Sequence, residues 1–305
     1  MNLGSYSYQE YFTPEIAQTG NQNEKDDVTI IIPTLNEEQA IEIVLNDIYF
    51  EGFHNILVID GNSVDDTVPL VEKMRVPVYQ QTGLGKTGAL KTALQYVNTP
   101  YLGVIDGDCT YSAKDIGALL EKASHYNQVI GARSKRNNIK NLNRFGNGVI
   151  NLLFNLSFGT SLTDVCSGLY ILKTSFAKEM TLETGGFDVE VEIAAQAAKS
   201  SKITEVPISY GKRIGTQKLN PFKDGVAITT TILKLSKKYN PIVFYSNLIG
   251  IILASFGFGY AVFSSVYILS FPELNLINTY VLLVSVILLL YGLFFSRFKS
   301  NKIIS

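Results

Sequence analysis

Hydrophobic and polar residues follow three patterns along this chain, and each predicts a different kind of element. In the first third, short β-branched runs are followed by stretches whose apolar residues recur three and four apart. Residues 28–32 read as a buried strand, and Ile41, Val44, Leu45 and Ile48 then share one helical face. Asn36 stands where it can cap that helix, with acids in the first turn. The alternation continues with a strand over 55–59 ending at Asp60, a helix opening at Asp65-Asp66-Thr67 and a short strand over 76–79. A helix marked by Ala89, Leu90, Ala93, Leu94 and Val97 leads to a strand over 101–105 that ends at Asp106. Such alternation predicts an α/β fold with a mostly parallel, doubly wound sheet. Ligands of these sheets collect at the carboxyl ends of the strands, where Pro33, Asp60 and Asp106 stand. Further strands are predicted over 129–132, 169–172 and 206–210, and a helix over 187–199.

The second pattern is amphipathic and flanked by basic residues. It covers 142–158 and 225–238, which read as helices lying in a membrane interface; core helices of a soluble domain are the alternative. The third pattern is uniformly apolar. Residues 241–271 and 274–296 carry no charge, and each exceeds the ~20 residues needed to span a bilayer. Lys234, Lys237 and Lys238 precede the first stretch, and Arg297, Lys299 and Lys302 follow the second. The positive-inside rule therefore puts both ends, and the domain before them, on the cytoplasmic side of a cell membrane. The expected organisation is a loose polar arm over 1–27, a domain over 28–240, a two-helix transmembrane hairpin over 241–296 and a cytoplasmic tail over 297–305. Gly250, Gly257 and Gly259 would let the spans pack against other copies of the chain.

Charge refines this picture. The net charge of the 305 residues is −1, yet Arg133, Lys135, Arg136, Lys140 and Arg144 cluster without an acid. A basic second half beside membrane spans suits anionic headgroups or a phosphorylated substrate, ordinary solvated surface being the plainer reading. The two cysteines, Cys109 and Cys166, form neither a disulfide framework nor a zinc pattern.

The chemistry concentrates after the strands. Asp106-Gly107-Asp108 offers two carboxylates to a hard divalent cation, Mg2+ or Mn2+, which prefers oxygen ligands completed by phosphate. Alone, Asp-x-Asp also occurs in plain turns. The loop from Asp60 to Thr67 can accept hydrogen bonds from a base or ribose, and it can equally cap the following helix. Gly83-Leu84-Gly85-Lys86-Thr87-Gly88 is not a P-loop, which needs glycine where Gln80 stands. Its flexible backbone and lysine at a helix start can still cradle a diphosphate, or form a simple turn.

Four blocks, Ile30-Ile31-Ile32-Pro33-Thr34-Leu35-Asn36-Glu37-Glu38, Asp60-Gly61-Asn62-Ser63 with Asp66-Thr67, Gly85-Lys86-Thr87-Gly88-Ala89-Leu90 and Asp106-Gly107-Asp108, occur in that order. Together they resemble the family 2 inverting glycosyltransferases of GT-A fold. Thr163-Asp164-Val165-Cys166-Ser167-Gly168-Leu169, Phe187-Asp188-Val189-Glu190 and Glu205-Val206-Pro207-Ile208-Ser209-Tyr210, with Arg213, Gly215, Lys218 and Leu219, resemble the polyprenyl-phosphate sugar synthases, dolichyl-phosphate mannose synthases among them. The resemblance spans about residues 27–240. It implies that Pro33, Thr34, Glu37 and Asp60 contact the nucleotide, that Lys86 lies by the diphosphate, and that Asp106 and Asp108 hold the metal. It further implies that Arg133 and Arg144 face the lipid phosphate and that Arg213 and Lys218 close over the donor, with Asp108, Arg133 and Arg213 central to catalysis. Mannose synthases often follow the acidic pair with Leu-Gln, whereas Cys109-Thr110-Tyr111 follows here. That departure leans toward UDP-glucose or UDP-N-acetylglucosamine as donor, with GDP-mannose as the alternative and a polysaccharide synthase as a second one.

The expected reaction is attack by a polyprenyl or dolichyl phosphate oxygen on the sugar, inverting its anomeric centre. An acceptor already anionic at neutral pH needs no strong base, consistent with His54 and His125 standing outside every motif. Membrane lipid is thus an expected partner and nucleic acid is not.

Overall fold

A computed structural model describes residues 22–134, 141–186, 188–216 and 220–267, with Tyr280, Leu283, Val284, Val286 and Ile287. The helix α1 (Gln22–Asp26) leads into β1 (Val28–Thr34), α2 (Ile41–Phe50), β2 (Ile56–Asp60), α3 (Thr67–Lys73), β3 (Val78–Gln80), α4 (Gly85–Ala93), β4 (Tyr101–Val104), α5 (Lys114–Ala123) and β5 (Gln128–Arg133). After these come α6 (Asn141–Phe158), β6 (Tyr170–Lys173), α7 (Thr174–Glu179), α8 (Val189–Lys199), β7 (Ile203–Ile208), α9 (Pro221–Tyr239) and α10 (Pro241–Tyr267). The chain divides into two compact units. The first holds Met1–Lys140, Ser167–Glu179 and Glu205–Lys218; the second holds Asn141–Cys166, Met180–Thr204 and Leu219–Ser305.

The first unit is built on the sheet, whose seven strands run in the order β3-β2-β1-β4-β6-β5-β7. β1 pairs in parallel with β2 and β4, and β2 with β3. β6 runs antiparallel to both β4 and β5, so the sheet is mixed. Ile30, Ile31, Ile32, Val58 and Ile59 are wholly buried, and burying each such side chain is worth ~1.5–3 kcal/mol. The predicted helical face of Ile41, Val44, Leu45 and Ile48 is buried as expected. α5, not among the elements predicted above, buries Ile116, Leu119, Leu120 and Ala123 at helical spacing. The last residues of the predicted arm belong to the fold: Lys25 Nζ of α1 donates to the Glu51 carbonyl at 2.6 Å and lies 5.4 Å from the centre of the Phe53 ring.

β1 has β2 on one side and β4 on the other, which makes the gap between β1 and β4 the point where the strand order reverses. The β1–β4 register runs only to Ile31 opposite Val104. Beyond it Pro33, which lacks an N–H, costs the sheet no ladder bond on that side, and the carboxyl ends of these strands are where such sheets take their ligands.

The second unit is helical. α6 packs on α8 and α9, and α9 packs on α8 and α10. Asn151 holds the loop after α6 by accepting from Val165 N at 3.0 Å and donating to the Thr163 carbonyl. Thr231 Oγ1 of α9 donates to Asp188 Oδ2 at 2.7 Å. The two helices predicted to be interfacial each have two faces. α6 buries Ile150 and Phe154 and exposes Phe145, Val149 and Leu152; α9 buries Ile228, Ile232 and Leu235 and exposes Phe222, Val226 and Leu233. Among the described residues no helix is long and apolar enough to cross a membrane. The first predicted span falls on α10, and the second lies outside the described residues apart from the five named above.

Candidate active site

Three loops of the first unit meet at the carboxyl edge of β1, β2 and β4. The β1 and β2 loops are laced together. Asn36 N donates to Ser63 Oγ and Val64 N to Asn36 Oδ1, both at 2.8 Å. Glu37 N donates to Thr67 Oγ1 at 2.8 Å, and Glu38 N to Asp65 Oδ2 at 3.2 Å. Asn36 therefore caps no helix of its own. α2 starts at Ile41, and Asn36 sits at φ 51° with its amide spent on the neighbouring loop. Asn62 at φ 68° and Cys109 at φ 63° give each of these three loops a non-glycine residue in the left-handed region. Such residues are uncommon and gather at functional sites.

Asp60 is buried at the end of β2. Oδ2 accepts from Ser63 N at 2.8 Å, and Oδ1 accepts from Ser63 Oγ at 2.5 Å and Thr34 Oγ1 at 3.3 Å. In the structure its carboxylate shapes the loop that follows.

Two acid–base pairs stand at this edge. Lys86, in the first turn of α4, places Nζ 2.6 Å from Asp106 Oδ1, each side chain about one-fifth exposed. Arg213 Nη2 meets Asp108 Oδ2, and Arg213 Nη1 lies 3.9 Å from Glu37 Oε1. Burial, then the adjacent Asp106 charge, push the Asp108 carboxyl above the ordinary carboxylate range; Arg213 and the hydrogen bonds from Thr110 oppose them. The loop carrying Arg213 is stitched to the acidic loop, with Gly211 N donating to the Thr110 carbonyl at 2.8 Å and Ile214 N to the Asp108 carbonyl at 3.0 Å. At its near end Asp115 Oδ2 accepts from Ser209 N at 3.1 Å and Ser209 Oγ at 2.7 Å.

Gly168 lies against Asp106. A Cβ there would stand 2.1 Å from Asp106 Oδ2, so any larger residue would have to displace that carboxylate. Its N–H donates to the Tyr111 hydroxyl at 2.7 Å, Tyr111 meets Tyr210 edge-on at 5.3 Å, and the Arg133 guanidinium lies 5.2 Å from the centre of the Tyr210 ring. The close approach in the diphosphate-cradle motif is at Gly88, where a Cβ would come within 2.8 Å of the Gly83 backbone.

Residues 29–180 match the model of the family described as Glycosyl transferase family 2. The chain belongs to glycosyltransferase family 2. It is 36% identical over 246 residues to the glycosyltransferase AglJ of Haloferax volcanii, covering 78% of this chain and 81% of the relative. It is 31% identical to a dolichyl-phosphate hexose transferase of the same organism, covering 69% of this chain and 94% of that protein. A structure of glucosyl-3-phosphoglycerate synthase from Mycobacterium tuberculosis, with Mn2+, UDP and phosphoglyceric acid, superposes with a TM-score of 0.59 at 17% identity. That match covers 74% of this chain and 84% of the other, and it establishes the GT-A fold.

For a family 2 glycosyltransferase, the first unit thus brings together Pro33, Thr34, Glu37, Asp60, Lys86, Asp106, Asp108 and Arg213 at one sheet edge. Arg133 ends β5 in the same unit, stacked on Tyr210. Arg144 is exposed on α6, in the second unit. Lys218 lies outside the described residues. Gly168, Thr110, Tyr111 and Tyr210 gained no role from sequence, although Gly168 and Tyr210 sit inside motif blocks and Thr110 and Tyr111 sit in the departure after Asp108.

Proposed function

We propose that this glycosyltransferase transfers glucose or N-acetylglucosamine from a UDP-sugar to dolichyl or polyprenyl phosphate, with inversion, at the cytoplasmic face of a membrane. The observation that carries the reading is the acidic pair Asp106 and Asp108 at the strand-order reversal, each carboxylate matched by a cationic side chain. Two oxygen donors set side by side fit a hard divalent cation, Mg2+ or Mn2+; among the described residues no cluster of three His, Cys, Asp or Glu offers a fuller cage. The remaining ligands then come from phosphate. A dication so held neutralises charge on a leaving diphosphate.

The chain's own residues do the rest. Lys86 is within reach of a diphosphate lying along the first turn of α4, and Arg213 approaches from the opposite loop. Both can turn from carboxylate to phosphate as negative charge develops there. Pro33, Thr34 and Glu37 line the nucleotide side. Arg133, steadied by Tyr210, is assigned to the acceptor phosphate through charge-assisted hydrogen bonds. Arg144 is assigned a second such contact near the headgroup plane. The relative named for dolichyl-phosphate hexose transfer supports a lipid acceptor. The apolar outer faces of α6 and α9 support membrane contact, and the uncharged runs 241–271 and 274–296 support a two-span anchor.

The test incubates the full-length protein and polyprenyl phosphate with radiolabelled UDP-glucose, UDP-N-acetylglucosamine or GDP-mannose, with and without Mn2+. Metal-dependent label in the lipid extract from a UDP-sugar is the expected result. Label from GDP-mannose alone would replace the donor, and insoluble polymer would point to a polysaccharide synthase. Absence of lipid label from all three donors would overturn the acceptor.

A further inference from the structure

Asp108 is held more tightly than its partner Asp106. It is 2% exposed, and its two oxygens have separate duties. Oδ1 accepts from Thr110 N at 3.0 Å and from Thr110 Oγ1. Oδ2 faces the Arg213 guanidinium. The intervening Cys109 adopts φ 63°, turning the Thr110 N–H back onto Asp108, while its Sγ is directed at the Ala40 carbonyl 3.6 Å away. Thr110 is itself 3% exposed, and its carbonyl accepts from Gly211 N. Neither the threonine nor the turn is free to drift.

We propose that Thr110 is a positioning residue for sugar transfer: its hydroxyl and N–H occupy Asp108 Oδ1, so the carboxylate presents Oδ2 alone, in one orientation, to an incoming cation. The inference rests on the reading of Asp106 and Asp108 as the cation-holding pair. A carboxylate free to rotate could bind a metal through both oxygens or swing out of reach; one locked at Oδ1 can bind through one oxygen only. Mg2+ and Mn2+ favour compact octahedral shells with little tolerance for misplaced ligands, so locking the donor atom preserves affinity. A hydrogen bond to a charged group is also the stronger kind, which suits Thr110 Oγ1 to the task.

The experiment compares Thr110→Val, Thr110→Ser and Asp108→Asn in the full-length protein. Mn2+ binding in the presence of UDP is read by electron paramagnetic resonance, and transfer is measured as a function of Mn2+ concentration. Thr110→Val keeps the side-chain volume and removes the hydroxyl. It is expected to weaken Mn2+ binding about tenfold and to raise the Mn2+ concentration for half-maximal transfer by the same factor, while kcat at saturating Mn2+ falls less than about threefold, the loss of one charge-assisted hydrogen bond. Thr110→Ser, which keeps the hydroxyl, is expected to stay within about twofold of the parent in both. Thr110→Ala replaces the valine variant if that one does not fold. Parental Mn2+ affinity in Thr110→Val, with Mn2+ binding lost in Asp108→Asn, would overturn the positioning role and leave the metal site standing. Parental affinity in Asp108→Asn would remove the metal site and the inference with it. A fall in kcat equal to the fall in affinity, unrescued by serine, would mark Thr110 as a general structural residue and also overturn the inference.

Discussion

Gly168→Ala is the sharpest perturbation the site offers. The new methyl would lie 2.1 Å from Asp106 Oδ2, 2.6 Å from Cγ and 2.8 Å from Oδ1. Relief to ordinary contact needs a movement of roughly 1 Å, and neither side yields freely. The glycine backbone is pinned by its bond to the Tyr111 hydroxyl at 2.7 Å and by Gly131 N donating to the next carbonyl, that of Leu169, at 2.8 Å. The carboxylate is pinned by Lys86. Rotating Asp106 off its rotamer costs ~0.5–1.5 kcal/mol, and giving up the charge-assisted Lys86 bond costs ~1.5–3 kcal/mol. A carboxylate that turns aside and leaves Lys86 therefore costs about 2–4 kcal/mol of stability, and the same displacement should lower metal-dependent transfer ~100-fold. The assays are thermal unfolding, Mn2+ titration with UDP, and transfer from a labelled UDP-sugar. Gly225→Ala is the control of opposite sign. Its Cβ would meet nothing within 4 Å, and it lies inside α9, so it should stabilise by ~0.5–1 kcal/mol. Combining Gly168→Ala with Lys86→Met should cost less than the two separately, because both release the same carboxylate. Parental stability, Mn2+ affinity and transfer in Gly168→Ala would refute the placement of Asp106 against Gly168.

Three further outcomes follow from groups around the site. Burial, followed by the carboxylates of Asp108, Asp47 and Glu37, pushes the Cys109 thiol up to about 12; at pH 8 only about one part in ten thousand is thiolate. Cys109 should stay unmodified by iodoacetamide in the native protein and react on unfolding, as read by peptide mass spectrometry, and native alkylation at the unfolded rate would contradict this. Burial raises the Asp47 carboxyl above its ordinary value although it accepts from Ala113 N at 2.7 Å. A raised folded pKa contributes stability at low pH that is lost as pH rises through it. Asp47→Asn should therefore raise the melting temperature at pH 7, with the gain shrinking as pH falls toward ~4; a constant difference across that window would refute the burial argument. Asp115→Ala removes two bonds to Ser209 at the root of the Arg213 loop. It should cost ~1–3 kcal/mol and slow transfer, and full activity at unchanged stability would show that Asp115 does not brace the loop.

Much of the first unit was legible because its strands are both continuous and β-branched. The 28–32 run and Asp106 after the fourth strand mark the carboxyl edge of the sheet in the sequence alone. Direction was not legible. β6 is a short apolar run buried between two other strands, and side-chain alternation says nothing about parallel or antiparallel pairing. The cap predicted at Asn36 failed for a related reason. Its amide is claimed by Val64, a partner 28 residues away, and local propensity carries no trace of that exchange. Gly168 illustrates the limit within the site. A glycine in a Ser-Gly block announces a close approach, but its target, a carboxylate 62 positions earlier, is set by β4 and β6 lying side by side.

The arrangement at this sheet edge answers an electrostatic problem that exists before any donor arrives. Glu37 and Asp108 are buried and Asp106 is half-buried beside them, and their mutual repulsion away from bulk water would oppose folding. Lys86 and Arg213 offset that cost inside the same unit. Three carboxylates against two cations leave the cluster one net negative charge, which attracts a cation and repels an anion. On the proposed reading, a dication held by Asp106 and Asp108 would make that balance positive, and Lys86 and Arg213 would be the groups placed to meet a diphosphate. The cationic residues that stabilise the ligand-free fold would then be the ones the proposed reaction needs, and the carboxylates beside them would hold the metal. Removing either cation should disturb folding and catalysis together, whereas Thr110 should act on metal affinity with little effect on the chemical step.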